Sequence, residues 1–249
     1  MKHFKHLLFA SSLLFVSLAN AQSAEEIIDN YLETIGGKEN LMALKGIKMQ
    51  AKVNQGGLEI PLEIVQLTGG KQYTKITFQG TEFKQGVFDG ETLWSVNFQS
   101  MKAEKSDAEA TANYKLDIND FPDPFLNYKE KGYTLELVGK ETIDGAETFK
   151  IKLVKEPKML DGKPVEDIVY YYFDSEAFVP LAVDSEIKAG QMAGAIQRIT
   201  FSDYQEVSGL IFPYSMTQGV KDGPSQPIMI STIEVNPTAS DSDFAFPSN

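Results

Sequence analysis

The side chains able to do chemistry set the first limit on this chain. Its 249 residues include no cysteine and only two histidines, His3 and His6. Both histidines fall in residues 1–21, a stretch laid out like a secretory signal. Lys2 and Lys5 give a charged start, Leu7 to Leu18 a short apolar run, and Ala19-Asn20-Ala21 a small-residue cleavage site. The run is too short to anchor in a bilayer. The expected mature chain starts at Gln22 and carries neither imidazole nor thiol. Histidine bases, cysteine nucleophiles and zinc, copper or haem sites of the usual ligand types are thereby excluded. No metal and no cofactor is expected, and the fold must hold without disulfides. Without a cysteine there is also no lipobox, so the chain is expected to be soluble after cleavage.

What remains is Asp, Glu, Lys, Tyr and Ser. Carboxylates are plentiful, at 35 Asp and Glu, but none falls into a directed motif. Asp89 and Asp144 stand in Asp-Gly pairs, where their role is conformational. There is no calcium loop, phosphate loop, nucleophile elbow or zinc-binding helix. A glycosidase needs only two carboxylates, and spacing cannot locate such a pair. Sugar-stacking tryptophans would be needed as well, and Trp94 is the only tryptophan. No enzyme is expected, and no catalytic residue is assigned.

Charge narrows the partners. The formal net charge is −12, and loss of Lys2 and Lys5 takes it to −14 (−12 − 2). Such a chain is repelled by nucleic acid and by anionic lipid surfaces. Arg198 is the only arginine, so no arginine cluster can recognise phosphate.

The elements that must position these residues are mostly strands. Ser23 and Glu26 form a capping-box pattern ahead of a helix. Its apolar face is Ala24, Ile27, Ile28, Tyr31, Leu32 and Ile35, and Gly36-Gly37 ends it. A short helix over Lys38 to Leu44 follows. From Ile47 the period changes to two. Turns at Gly56-Gly57, Gly69-Gly70, Gln79-Gly80 and Asp89-Gly90 divide five strands of an antiparallel meander. Pro61 suggests an edge or a bulge in the second of these.

Ser106 to Ile118 reads as a weak helix. Asp120 to Phe125 is a non-strand insert, and Phe125 to Lys131 is a possible further short helix. An insert of this kind inside a β run suits a surface connection whose aromatics cap the core, the commoner case, or a lid over a barrel mouth. Further strands follow, with Met159 to Lys163 read as a turn or loop.

The stretch Val165 to Ile187 is a hairpin about Asp174-Ser175-Glu176. Its first strand has β-formers on both faces: Ile168, Tyr170 and Tyr172 on one, Val169, Tyr171 and Phe173 on the other. A sheet with one wet face would alternate apolar with polar. Something apolar is therefore expected on each side, as in a sheet curled round a greasy interior with its other face partly covered. About eleven to twelve strands are expected, with no βαβ alternation, no domain linker and one domain over residues 22–249.

The helix A-E-E-I-I-D-N-Y-L-E-T-I-G-G, the pair F-D-G-E-T-L-W (Phe88 to Trp94), Y-Y-Y-F-D-S-E-A-F-V-P-L (Tyr170 to Leu181) and D-Y-Q-E-V-S-G-L-I-F-P (Asp203 to Pro213) occur in this order behind the signal. Together they resemble the outer-membrane lipoprotein-sorting proteins, the LolA-like and LolB-like fold. The resemblance implies a mainly β, α+β architecture: an incomplete antiparallel barrel round an apolar cavity, with an N-terminal helix and a mid-chain helical lid. It implies a soluble, monomeric periplasmic carrier that moves acyl chains of lipoproteins or lipids toward the outer membrane. Its partners would be an inner-membrane exporter and an outer-membrane receptor. The alternative on the same fold is a non-enzymatic sensory or protein-binding module. The expected lining or lid residues are Phe78, Phe83, Trp94, Phe121, Phe125, Tyr170, Tyr172 and Ile199.

Overall fold

The computed structural model describes residues 22–247; the signal segment lies outside the described residues. Helix α1 (Ala24–Thr34) starts with the capping box read from the sequence. Ser23 Oγ accepts the Glu26 amide at 3.1 Å, and the Ser23 amide donates to Glu26 Oε2 at 2.9 Å. Helix α2 (Lys38–Ala43) follows.

The meander runs β1 (Gly46–Gln55), β2 (Leu58–Leu67), β3 (Gln72–Phe78), β4 (Thr81–Phe88), β5 (Leu93–Val96) and β6 (Ala103–Lys105). Helix α3 (Ala108–Asp117) opens the connection to β7 (Thr134–Ile143). Then come β8 (Ala146–Val154), β9 (Lys158–Leu160), β10 (Lys163–Val165), β11 (Ile168–Asp174) and β12 (Pro180–Glu186). The chain closes with β13 (Ile196–Val207), β14 (Leu210–Val220) and β15 (Ser225–Val235).

Thirteen strands form one antiparallel sheet in the order β6-β5-β4-β3-β2-β1-β15-β14-β13-β12-β11-β8-β7. The first and last strands of the chain pair in its middle, so its two free edges, β6 and β7, are consecutive in sequence. The sheet is thus an unclosed barrel, and residues 106–133 cross its open seam. The strands exceed the expected number for two reasons. Ala103–Lys105 is too short to show a period, and the Met159 to Lys163 turn proves to be a tight hairpin of β9 and β10 about Asp161-Gly162. Phe125 to Lys131 forms turns and no helix. Pro61 is not in an edge strand, since β2 lies between β1 and β3. The β2–β3 ladder stops at Leu62, however, so Pro61 needs no amide partner on that side.

One face of the sheet, called inner here, packs against α1. Ile27, Ile28, Tyr31 and Leu32 meet Ile47 of β1, Phe149, Ile151 and Leu153 of β8, Phe173 of β11 and Leu210 of β14. Phe125 enters the same core, its ring 5.9 Å from Tyr31 and 4.7 Å from Tyr171. The outer face has its own cover over β2 to β5. There the C-terminal segment lays Phe244 and Phe246 on Val65, Tyr73, Val87 and Trp94.

Candidate functional site

Strand alternation carries the apolar inner face past the end of α1. Ile47 and Met49 pack toward the helix, and Ala51 and Val53 continue the same side of β1. Register then extends the surface sideways. Phe201, Met216, Ile228, Val53 and Ile60 are successive partners across β13, β14, β15, β1 and β2. In the next row Ala51, Leu62, Ile76 and Phe83 are successive partners across β1 to β4.

Among the described residues no helix covers the far end of this surface. It forms an open groove of about 540 Å³ lined by Val53, Ile60, Leu62, Ile76, Phe78 and Phe83, with Phe98 and Met101 reaching over from the β5–β6 loop. Asn97 shapes that loop: its side-chain oxygen accepts the amides of Gln99 and Ser100 at 2.8 and 3.1 Å. The loop leaves Phe98 57% and Met101 54% exposed, and Phe78 beside them is 38% exposed. Phe98 sits 5.2 Å from the Phe83 ring. Large apolar side chains gathered round a concave surface, rather than scattered singly, make this groove the candidate binding site.

Phe125 and Leu126 anchor one end of the crossing in the core; at the other end α3 buries no residue and is held mainly by polar contacts, with the Tyr114 ring 4.7 Å from Phe88. Asp107 caps α3, accepting the Ala110 amide at 2.7 Å. Glu109 accepts the amides of Asp161 and Gly162 at the tip of the β9–β10 hairpin. Asn113, one turn on, exchanges two hydrogen bonds with the Met159 backbone. Lys155 Nζ lies 3.2 Å from Asp117, 2.8 Å from Asp120 and 3.1 Å from Asp167. Burial alone would lower the Lys155 ammonium's pKa, but these carboxylates outweigh it and hold the pKa above its ordinary value. On the other side, Ile118 packs so closely on Gly70 that a Cβ there would lie 2.4 Å from it.

Asp123 is the buried carboxyl of the crossing segment. It accepts Tyr31 Oη at 2.5 Å and the Phe125 amide at 2.8 Å. Burial raises its pKa to about 6, above an ordinary aspartate, despite those two bonds. Burial, together with the Asp123 charge, pushes the Tyr31 phenol upward.

The residues singled out from sequence divide among these places. Phe78 and Phe83 line the groove. Phe125 is core beside α1, and Phe121 packs against that core while edging a smaller hollow of about 250 Å³ under the crossing segment. Ile199 is on the inner face, paired with Val183 and Gln218, away from the groove.

Trp94, Tyr170 and Tyr172 need correction, because they occupy the outer face. Trp94 Nε1 donates to the Phe244 carbonyl at 3.0 Å beneath the C-terminal segment. Tyr172 donates to Asp184 at 2.9 Å, and Arg198 grips the same carboxylate through two bonds of 2.6 and 2.7 Å. Lys150 lies 5.1 and 5.3 Å from the Tyr170 and Tyr172 rings, and Arg198 lies 5.2 Å from the Tyr172 ring. The outward aromatics of the Tyr-rich strand are thus met by cations as much as by the small apolar cluster of Ile143, Ala182 and Leu181.

Groove residues that the sequence did not single out are Val53, Ile60, Leu62, Ile76, Phe98 and Met101. The alternation of β1 to β4 contains the signal for the first four, but it does not say which side is inner. Nothing in the pattern marks Phe98 or Met101, which lie on a loop.

No protein-family profile and no curated protein matches the chain. Solved structures do match its fold. A DUF1329 family protein from Desulfovibrio piger superposes with a TM-score of 0.56 at 16% identity, over 90% of this chain and 98% of that one. A LolA superfamily protein from Nitrosomonas europaea gives 0.53 at 14%, over 90% and 98%. An outer membrane lipoprotein-sorting protein domain from Vibrio parahaemolyticus gives 0.51 at 14%, over 89% and 95%. The chain has a LolA-like fold: an unclosed antiparallel barrel with an N-terminal helix and a helical crossing of its seam. Among the described residues no helix is long and apolar enough to cross a membrane.

Proposed function

We propose that this protein is a periplasmic carrier that takes the acyl chain of a lipid or lipoprotein into the inner-face groove. The observation that carries the reading is the cluster of Phe78, Phe98 and Met101, each more than a third exposed, round a groove of about 540 Å³. That size falls in the usual range for small-ligand sites. Burying an acyl chain contributes about 0.8 kcal/mol per methylene, so ten methylenes give about 8 kcal/mol before ordering costs. The reading needs no catalytic group, metal or cofactor. A fold neighbour named as a lipoprotein-sorting domain supports it, as does the signal-like start of the sequence. Delivery would run from an inner-membrane exporter to an outer-membrane receptor, with the carrier a monomer.

Native mass spectrometry of protein isolated from the periplasm without detergent tests this, followed by organic extraction. A mass excess that extracts as acyl lipid or lipoprotein is expected. A bare mass, together with no uptake of added acyl compounds, contradicts it.

A further inference from the structure

The groove is not apolar along its whole length. Phe98 also borders a second depression of about 540 Å³, lined among others by Gln85, Ser95, Asn97, Glu104 and Lys105. Gln85 stands one same-face step from Phe83 along β4, about 7 Å. Ser95 of β5 is paired with Glu104 of β6. An apolar trough thus runs into a polar dish on the same face of the sheet.

The dish has both acceptors and donors free. Gln85 Nε2 donates to the Val96 carbonyl at 2.6 Å, and its Oε1 has no partner among the described residues. Ser95 Oγ accepts the Gly86 amide at 2.9 Å. Glu104 receives Asn97 Nδ2 and Ser100 Oγ, both at 3.1 Å, and among the described residues no ammonium pairs with it.

The lysines of the surrounding strands turn outward. Lys75 pairs with Glu63 and Glu82. Lys84 donates to the Asp243 carbonyl, and the Lys105 ammonium lies 5.0 Å from the Phe246 ring. Lys102, in the loop itself, makes no ion pair among the described residues. Lys105, the one lysine that lines the dish, turns its ammonium to Phe246, and Lys102 is not among the lining residues, so a carboxylate or phosphate placed against Glu104 would meet a like charge first.

From this we infer the ligand class: a chain whose head group is uncharged and can both donate and accept hydrogen bonds, such as an acylglycerol, with its tail in the Phe83 trough and its head against Gln85, Ser95 and Glu104. The inference rests on the acyl-binding reading above and specifies the head that the same site accepts. Anionic fatty acids bind more weakly than neutral chains of equal length.

The test is displacement of an uncharged fluorescent acyl probe at neutral pH by a monoacylglycerol and by the free fatty acid of the same length. The monoacylglycerol is expected to compete at about fivefold lower concentration, the ratio that one uncompensated charge contact of about 1 kcal/mol produces. Glu104 is exposed and on an edge strand, so its variants keep the fold. Glu104→Gln should bring the two competitors together, and Glu104→Lys should reverse their order. Equal competition by both compounds, unmoved in Glu104→Lys, overturns the head-group assignment while leaving acyl binding intact. A probe that never binds, to the parent protein or to either variant, overturns the acyl reading and this inference with it.

Discussion

Tyr31 donates its hydroxyl to the buried carboxylate of Asp123 at 2.5 Å, joining α1 to the segment that crosses the barrel seam. The Tyr31 ring packs against Phe125 and Phe173, and the Asp123 carboxylate also accepts the Phe125 amide. Removing the phenol leaves a buried acceptor short of a donor. Tyr31→Phe should therefore cost about 1–3 kcal/mol in urea unfolding, with the slope unchanged. No change in midpoint would mean that the bond is not part of what fixes the crossing segment.

The same carboxyl makes stability depend on pH. Its folded pKa, about 6, is above that of an unfolded aspartate. The folded state therefore holds the proton more tightly. The associated stabilisation is complete below about pH 4 and is lost as pH rises through about 6. Tyr31, Lys131, Asp120 and the Phe125 amide surround the group, and outer-face carboxylates such as Glu63 titrate in the opposite sense. The readout is consequently the difference between the parent and Asp123→Asn. From pH 4 to pH 7 the parent should lose about 2–3 kcal/mol more than the variant. Parallel profiles would contradict this.

Lys155 is nearly buried and touches three carboxylates. Lys155→Met keeps the stem and removes the charge, leaving Asp117, Asp120 and Asp167 to repel one another. The expected loss is about 2 kcal/mol, less than for a fully buried pair because Asp117 is partly exposed. Faster amide exchange should be confined to α3 and the β9–β10 hairpin. Uniformly faster exchange across the sheet would show that the latch is not local.

Much of this architecture was legible in the sequence. The capping box at Ser23 and Glu26, the paired strands around Gln79-Gly80 and the Tyr-rich hairpin all follow from local chemistry that the fold does not override. Sidedness was not legible. Period two says that Tyr171 and Tyr172 point opposite ways, but only the docking of α1 decides that Phe173 and Tyr171 face inward. Trp94 was misplaced for the same reason. Its cover, Phe244, lies 150 residues away in the chain, and no local pattern carries that contact. The groove rim at Phe98 and Met101 depends on a loop shaped by Asn97, which periodicity does not see.

The placement of Trp94 gives its own prediction. Phe244→Ala should cost about 3–5 kcal/mol and shift Trp94 emission to the red as the C-terminal segment lifts. Occupancy of the groove, on the opposite face, should leave that emission nearly unchanged. Strong quenching of Trp94 by a bound chain would place the ligand on the wrong side of the sheet.

The most direct measurement is photo-cross-linking with an acyl chain carrying a photoactivatable group near its end, followed by peptide mapping. The groove account predicts labels on residues 53–62, 76–83 and 98–101, reduced at least about tenfold in Phe78→Asp, since a charge buried against the chain costs several kcal/mol. Phe78 is exposed, so this variant should still unfold as cooperatively as the parent. Labels on the outer face, or labels at the groove that persist undiminished in Phe78→Asp, would contradict it.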